Sequence, residues 1–134
     1  MITKLEDFKA YNRAMNLSEE ICKIVLAWDS FGKDTIGKQL LRAADSIAAN
    51  LSEGLGRYHY KEARNFSFYA RGSLFETKTW LTKAHNRNLV TTSQFNALID
   101  EVEEIGKMIN GYIKSIGHVS EPEEEYGKYE LPDA

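Results

Sequence analysis

Arg57, Arg64, Arg71 and Lys78 stand seven residues apart, and His85 takes the next step. Residues seven apart nearly superimpose on an α-helix, so these side chains form one cationic ridge, with Lys61 on the same face. A line of cations can track a polyanion such as the phosphate backbone of RNA or DNA, where arginine contacts phosphate bidentately. It can also pair with acids on another surface. Tyr58, Tyr60 and Phe68 lie close enough in sequence to add base stacking. Glu62 and Glu76 are the only acids between Tyr60 and Arg87, so the ridge is poorly neutralised by its own helix. Lys38 and Arg42, on the preceding segment, extend the set to Lys38, Arg42, Arg57, Lys61, Arg64, Arg71 and Lys78 as candidate nucleic-acid contacts.

A second constellation precedes the ridge. Ile36, Leu40, Ala44, Ile47, Leu51 and Leu55 recur at steps of three and four, the pattern of a helical core stripe. Gln39, Arg42, Ser46, Asn50, Glu53 and Arg57 recur at the same steps, about 100° around the helix. These side chains form directional hydrogen bonds, and such a line beside a core predicts a polar seam between helices or between subunits. Gly72-Ser73 in the middle of a long helix costs stability relative to alanine, and close approach of a neighbouring backbone would compensate. Gln39, Ser46, Asn50, Glu53, Gly72, Ser73 and Glu76 are therefore the candidates for helix or subunit contacts. Glu53 is expected to cap or bridge at its helix end. Glu76 is expected to bond an arginine or a backbone group across an interface.

Other chemistry is poorly represented. Glu53, Glu62 and Glu76 have no spacing diagnostic of an acid/base pair. His59, His85 and His118 form no His-x-x-x-His or Glu-x-x-His pair, so no metal site is expected. Cys22 lies beside Ile21 and Val25 and reads as a small core hydrophobe. No dinucleotide fingerprint, Walker loop or nucleophile elbow occurs. The expectation is a non-enzymatic protein that uses no cofactor.

The elements that must position these residues are four helices. The first is expected from about Leu5 to Asp29, behind a Thr3/Glu6 capping-box spacing and ended by Phe31-Gly32. Its predicted stripe is Phe8, Tyr11, Met15, Ser18, Cys22, Val25 and Trp28, with Ala14 and Ile21. The second runs from about Asp34 to Ser52 or slightly beyond, with Gly54 and Gly56 marking its end and the turn. The third runs from Tyr60 to Arg87 with Ala63, Phe66, Ala70, Ser73, Thr77, Leu81 and Ala84 inward, and Asn88 ends it. The fourth starts at Thr91 or Thr92, where Thr91 and Gln94 have capping-box spacing. Phe95, Leu98, Val102, Ile105, Ile109, Tyr112 and Ile116 form its stripe, and Gly117 ends it. The acids Asp100, Glu101, Glu103 and Glu104 belong to its polar face, where Glu103 and Lys107 form a favourable pair. Short connections predict an all-α, antiparallel up-down-up-down bundle over residues 1–118, followed by an acidic tail at 119–134.

The 134 residues fit one domain with a real core. Both prolines, Pro122 and Pro132, lie near the C-terminus, which leaves long helices uninterrupted. A single cysteine excludes an intramolecular disulfide. No apolar run approaches the roughly 20 residues of a membrane span, and no signal-peptide hydrophobic region is present, so a cytoplasmic location is the default. The net charge of −3 hides an asymmetry: residues 1–32 carry −1, residues 33–87 carry +5 and residues 88–134 carry −7. The middle of the chain could attract an anion although the whole is acidic.

Two blocks carry a resemblance to a known family. They are Gln39-Leu-Leu-Arg-Ala-Ala-Asp-Ser-Ile-Ala-Ala-Asn-Leu-Ser-Glu-Gly-Leu-Gly-Arg57 and Ala70-Arg-Gly-Ser-Leu-Phe-Glu76, the latter followed by Leu81 and Ala84. Across about Leu5 to Ile116 the chain resembles the small bacterial four-helix-bundle proteins encoded by intervening sequences of large ribosomal RNA genes. The resemblance implies a ring-like homopentamer. It also implies kinship with the accessory protein of diversity-generating retroelements, which binds nucleic acid through a positively charged pentamer surface. No catalytic activity is established for the family. The chain departs from the pattern at Ala48, where the family usually has proline, and at Tyr11, where it usually has tryptophan. The acids after Leu98 make it less basic than the nucleic-acid-binding relatives.

The reading from sequence is thus a homo-oligomeric bundle, a pentamer by resemblance, that binds RNA or DNA by backbone electrostatics. The alternative is a protein-interaction scaffold without a nucleic-acid ligand, for example for a reverse-transcriptase-like protein, its cations serving assembly.

Overall fold

The computed structural model describes residues 2–117. The expectations for His118 and for the acidic tail at 119–134 concern residues outside that range. The described chain is all-helical and contains four main helices.

The first helix is Lys9–Leu26, behind a single 3₁₀ turn at Leu5–Asp7. Phe8 is its N-cap residue, extended in backbone and with its ring buried. The expected start at Leu5 and the Thr3/Glu6 capping box are therefore corrected, because the 3₁₀ turn occupies that stretch. The expected end at Phe31-Gly32 is corrected too. The Asp29 carboxylate accepts a 2.8 Å hydrogen bond from the Gly32 N–H and starts the next helix.

The second helix spans residues 30–55 without a break. It opens with an α turn at Ser30–Gly32, widens to a π turn at Lys33–Gly37 and continues as α-helix over Lys38–Leu55. Gly56 caps it, as expected. The third helix is Tyr60–Asn86 and the fourth is Thr92–Gly117. The joint between them uses two local signals. Asn88 adopts φ 59°, a left-handed conformation that asparagine tolerates. Its N–H donates to the His85 carbonyl and that of Leu89 to the Ala84 carbonyl, the two bonds of a Schellman motif. Thr91 and Gln94 then form the expected capping box: Thr91 Oγ1 accepts from Gln94 N at 3.0 Å and Gln94 Oε1 from Thr91 N at 2.9 Å.

Neighbours in sequence are neighbours in space, and pairing shows that the third and fourth helices run antiparallel. Arg71 meets Asn110, Lys78 meets Glu103 and His85 meets Thr92. The second and third helices pack most extensively. At Gly54 they come so close that an added Cβ would lie 2.8 Å from Phe66 Cβ and 3.0 Å from the Ala63 carbonyl oxygen.

The stripes of the second and fourth helices are as expected, with Leu55, Phe95 and Tyr112 half-buried. Two stripes are corrected. On the first helix the buried line is Ala10, Ala14, Leu17, Ser18, Ile21 and Val25, whereas Met15 is exposed and Cys22 half-buried. The small Ala10 and Ala14 face inward because they let the helix approach closely. On the third helix Ser67 and Leu74 are buried, and Phe66 and Ser73 lie on the flank.

Candidate nucleic-acid interface

The seven-residue spacing does place Arg64, Arg71, Lys78 and His85 on one side of the third helix. That side faces the fourth helix rather than open solvent. Arg64 is 9% exposed, and its guanidinium lies beside Gly117 at the end of the fourth helix. Arg71 donates a 3.1 Å hydrogen bond to Asn110 Oδ1, and its guanidinium carbon lies 4.6 Å from the centre of the Phe68 ring. Lys78 pairs with Glu103. His85 stacks on Phe95 with ring centres 4.4 Å apart. These four side chains therefore help to hold the third helix to the fourth, with Lys78 half exposed at the edge. The acids of the fourth helix meet cations within the same chain, since Glu101 also takes Arg13. Glu103 is paired with Lys78 rather than with the expected Lys107.

The remaining cations differ in setting. Arg57, in the turn before the third helix, bridges Glu53 and Glu62 at 3.3 Å each and lies over the Phe66 ring at 4.9 Å. Lys61 is half-buried. Lys38 and Arg42 are exposed on the outer face of the second helix, one turn apart. Neither forms an ion pair among the described residues, and both line a shallow groove with Leu41, Asp45, Ser46 and Ala49. Burial pushes the Asp45 carboxyl up from its ordinary value, with Glu19 adding to the rise and Ser18 opposing it.

The candidate contact residues divide similarly. Ser46 Oγ donates to the Arg42 carbonyl and Asn50 Nδ2 to the Ser46 carbonyl, so the line on the second helix bonds its own backbone. Glu53 bridges to Arg57 as expected. Gln39 and Glu76 are exposed, and among the described residues Glu76 bonds neither an arginine nor a backbone group. Gly72 faces outward, and a Cβ there would meet nothing within 4 Å. The close approach foreseen at Gly72-Ser73 is thus not made within the chain; Gly54 makes it instead. Trp80 Nε1 is buried without an acceptor among the described residues.

The spacing argument overlooked Phe75. It is 62% exposed on the outer side of the third helix, in a groove with Lys78, Thr79, Thr82 and Lys83. Its signal was its place between Arg71 and Lys78 at steps of four and three. Of the aromatics named for stacking, Tyr58 is 91% exposed, Phe68 lies under Arg71 and Tyr60 is half-buried.

Such a molecule belongs to the class of all-α four-helix bundles. Over residues 6–111 the chain matches the family of 23S rRNA-intervening sequence proteins, and it belongs to that family. It is also similar in fold to a protein of unknown function from the S23 ribosomal protein family of Bacteroides thetaiotaomicron. The TM-score is 0.73 at 23% identity, over 78% of this chain and 95% of that one. No curated protein matches the chain. Among the described residues no helix is long and apolar enough to cross a membrane.

Proposed function

We propose that this protein is a non-enzymatic, self-associating bundle, a pentamer in the reading the family resemblance supports, that binds RNA or DNA through the phosphate backbone. The observation that carries the reading is the pair Lys38 and Arg42, exposed, a turn apart and without an ion pair among the described residues. Arg64, Arg71 and Lys78 are engaged with the fourth helix, which shifts the weight of binding onto the second helix. Lys78 keeps half of its side chain exposed and contributes from the edge.

The test is binding of a labelled duplex between 50 and 200 mM salt, where a backbone-bound complex weakens linearly in log–log terms by about 0.9 per phosphate neutralised. The double variant Lys38→Glu, Arg42→Glu should flatten that slope by about one phosphate per residue. A salt-insensitive affinity would remove the mechanism.

A second reading, a scaffold for protein partners, is favoured by the outward Gly72. A glycine in a helix with nothing against it costs stability for no return within the chain. Docking of another chain's backbone would supply the return, and the cations would then serve assembly.

A further inference from the structure

Cations and aromatics alternate along the third helix. Arg64, Phe68, Arg71, Phe75 and Lys78 follow one another at steps of four, three, four and three. That is one helical stripe, on which Phe68 and Phe75 stand about 10.5 Å apart along the axis. Arg71 covers Phe68 at 4.6 Å, whereas Phe75 stays 62% exposed. Phe75 is therefore a bare ring between a fixed guanidinium and an ammonium. Its groove adds a second ammonium, Lys83, and two threonines.

What the groove offers is narrow in kind. The Thr79 hydroxyl donates to the Phe75 carbonyl at 3.1 Å and the Thr82 hydroxyl to the Lys78 carbonyl at 2.8 Å. Their protons are spent on the helix, so neither threonine remains as a donor to read a base edge. An apolar π-face flanked by positive charges fits a base together with its phosphates. In a duplex the base faces are stacked away, and only the phosphates are reachable.

We infer that the outer edge of the third helix, centred on Phe75 with Arg71, Lys78 and Lys83, binds single-stranded nucleic acid without sequence preference. This rests on the polyanion reading above and specifies its form. The Lys78–Glu103 pair does not block it. Both side chains are about half exposed, 50% and 53%, and such a surface pair opens at little cost.

The experiment measures fluorescence anisotropy of the full chain with a labelled oligouridine of about 16 nucleotides and with a duplex of the same length. Wild type, Phe75→Ala and Phe75→Tyr are compared, with molar mass by light scattering alongside. The expected result has three parts. Phe75→Ala weakens single-strand binding roughly 5- to 150-fold. Its duplex binding and its molar mass stay unchanged, and Phe75→Tyr restores the single strand. An equal loss on both ligands, no loss, or a drop in molar mass would overturn the inference. If wild type holds duplex and single strand equally, with steep salt dependence, the inference fails while the polyanion reading stands. If wild type holds neither, both fail.

Discussion

Arg64 and Arg42 are the same residue type in opposite settings. Arg64 is packed beside the last turn of the fourth helix, where helix carbonyls point and a cation is favoured. Arg42 stands in solvent and forms no ion pair among the described residues, although Asp45 lines the same groove. Charge reversal at Arg64 would therefore report on folding, and charge reversal at Arg42 on binding. Asp45 lies near by at the surface, and its carboxylate is disfavoured chiefly by partial desolvation. The folded chain binds its proton more tightly than the unfolded chain does. Stability attributable to this residue is thus present at low pH and lost as pH rises through the folded value. Asp45→Asn is expected to raise the melting temperature at pH 7. The gain should vanish below the ordinary carboxylate value of 3.8, as thermal melts at both pH values would show.

Among the elements, the close approach of the first and second helices at Gly37 can be tested directly. An added Cβ at Gly37 would lie 2.8 Å from Val25 Cγ1 and 3.1 Å from the Gly32 carbonyl oxygen. The second of these is backbone and cannot swing aside. Gly37→Ala should lower stability by about 1–3 kcal/mol, seen as a reduced denaturant midpoint at unchanged m-value. The neighbouring elements also show where a sequence speaks and where it does not. The start of the fourth helix was legible because its signal is local: Thr91 and Gln94 need only each other. The first helix was harder because two apolar lines overlap there at the same spacing. Bulk favours Tyr11, Met15 and Cys22, whereas packing favours Ala10, Ala14 and Leu17. The cationic ridge was legible as a ridge, since spacing alone sets which residues share a side. Which neighbour that side meets is tertiary information, so its absorption into the seam with Glu103 and Asn110 was not readable. Phe75 was hidden for the same reason, because an exposed phenylalanine and a core one look alike in a sequence.

At the scale of the molecule, two outward surfaces stand out. The outer faces of the second and third helices carry Gln39, Gly72 and Glu76, all exposed, with Asn50 half-buried. The far edge of the third helix carries Phe75 and Lys78. The first is the better candidate for self-association, and Gly72 tests it. Gly72→Leu places its side chain in open space in the single chain and improves helix propensity by up to about 1 kcal/mol. The expected outcome in light scattering is a fall in molar mass together with a preserved or raised melting temperature. An unchanged mass would remove this face from the self-association reading.

The widened turn at Lys33–Gly37 has a consequence for chain length. A turn closed from i to i+5 holds one residue more than an α-helical turn does, while the helix on either side keeps its course. Loss of a single codon within this stretch would convert the wide turn to an ordinary one. Leu40, Ile47 and Leu51 would still point into the core. The same loss a few residues later, within Lys38–Leu55, would turn every following side chain by about 100° and expose that core. Single-residue deletions in the second helix are thus confined by geometry to one short window.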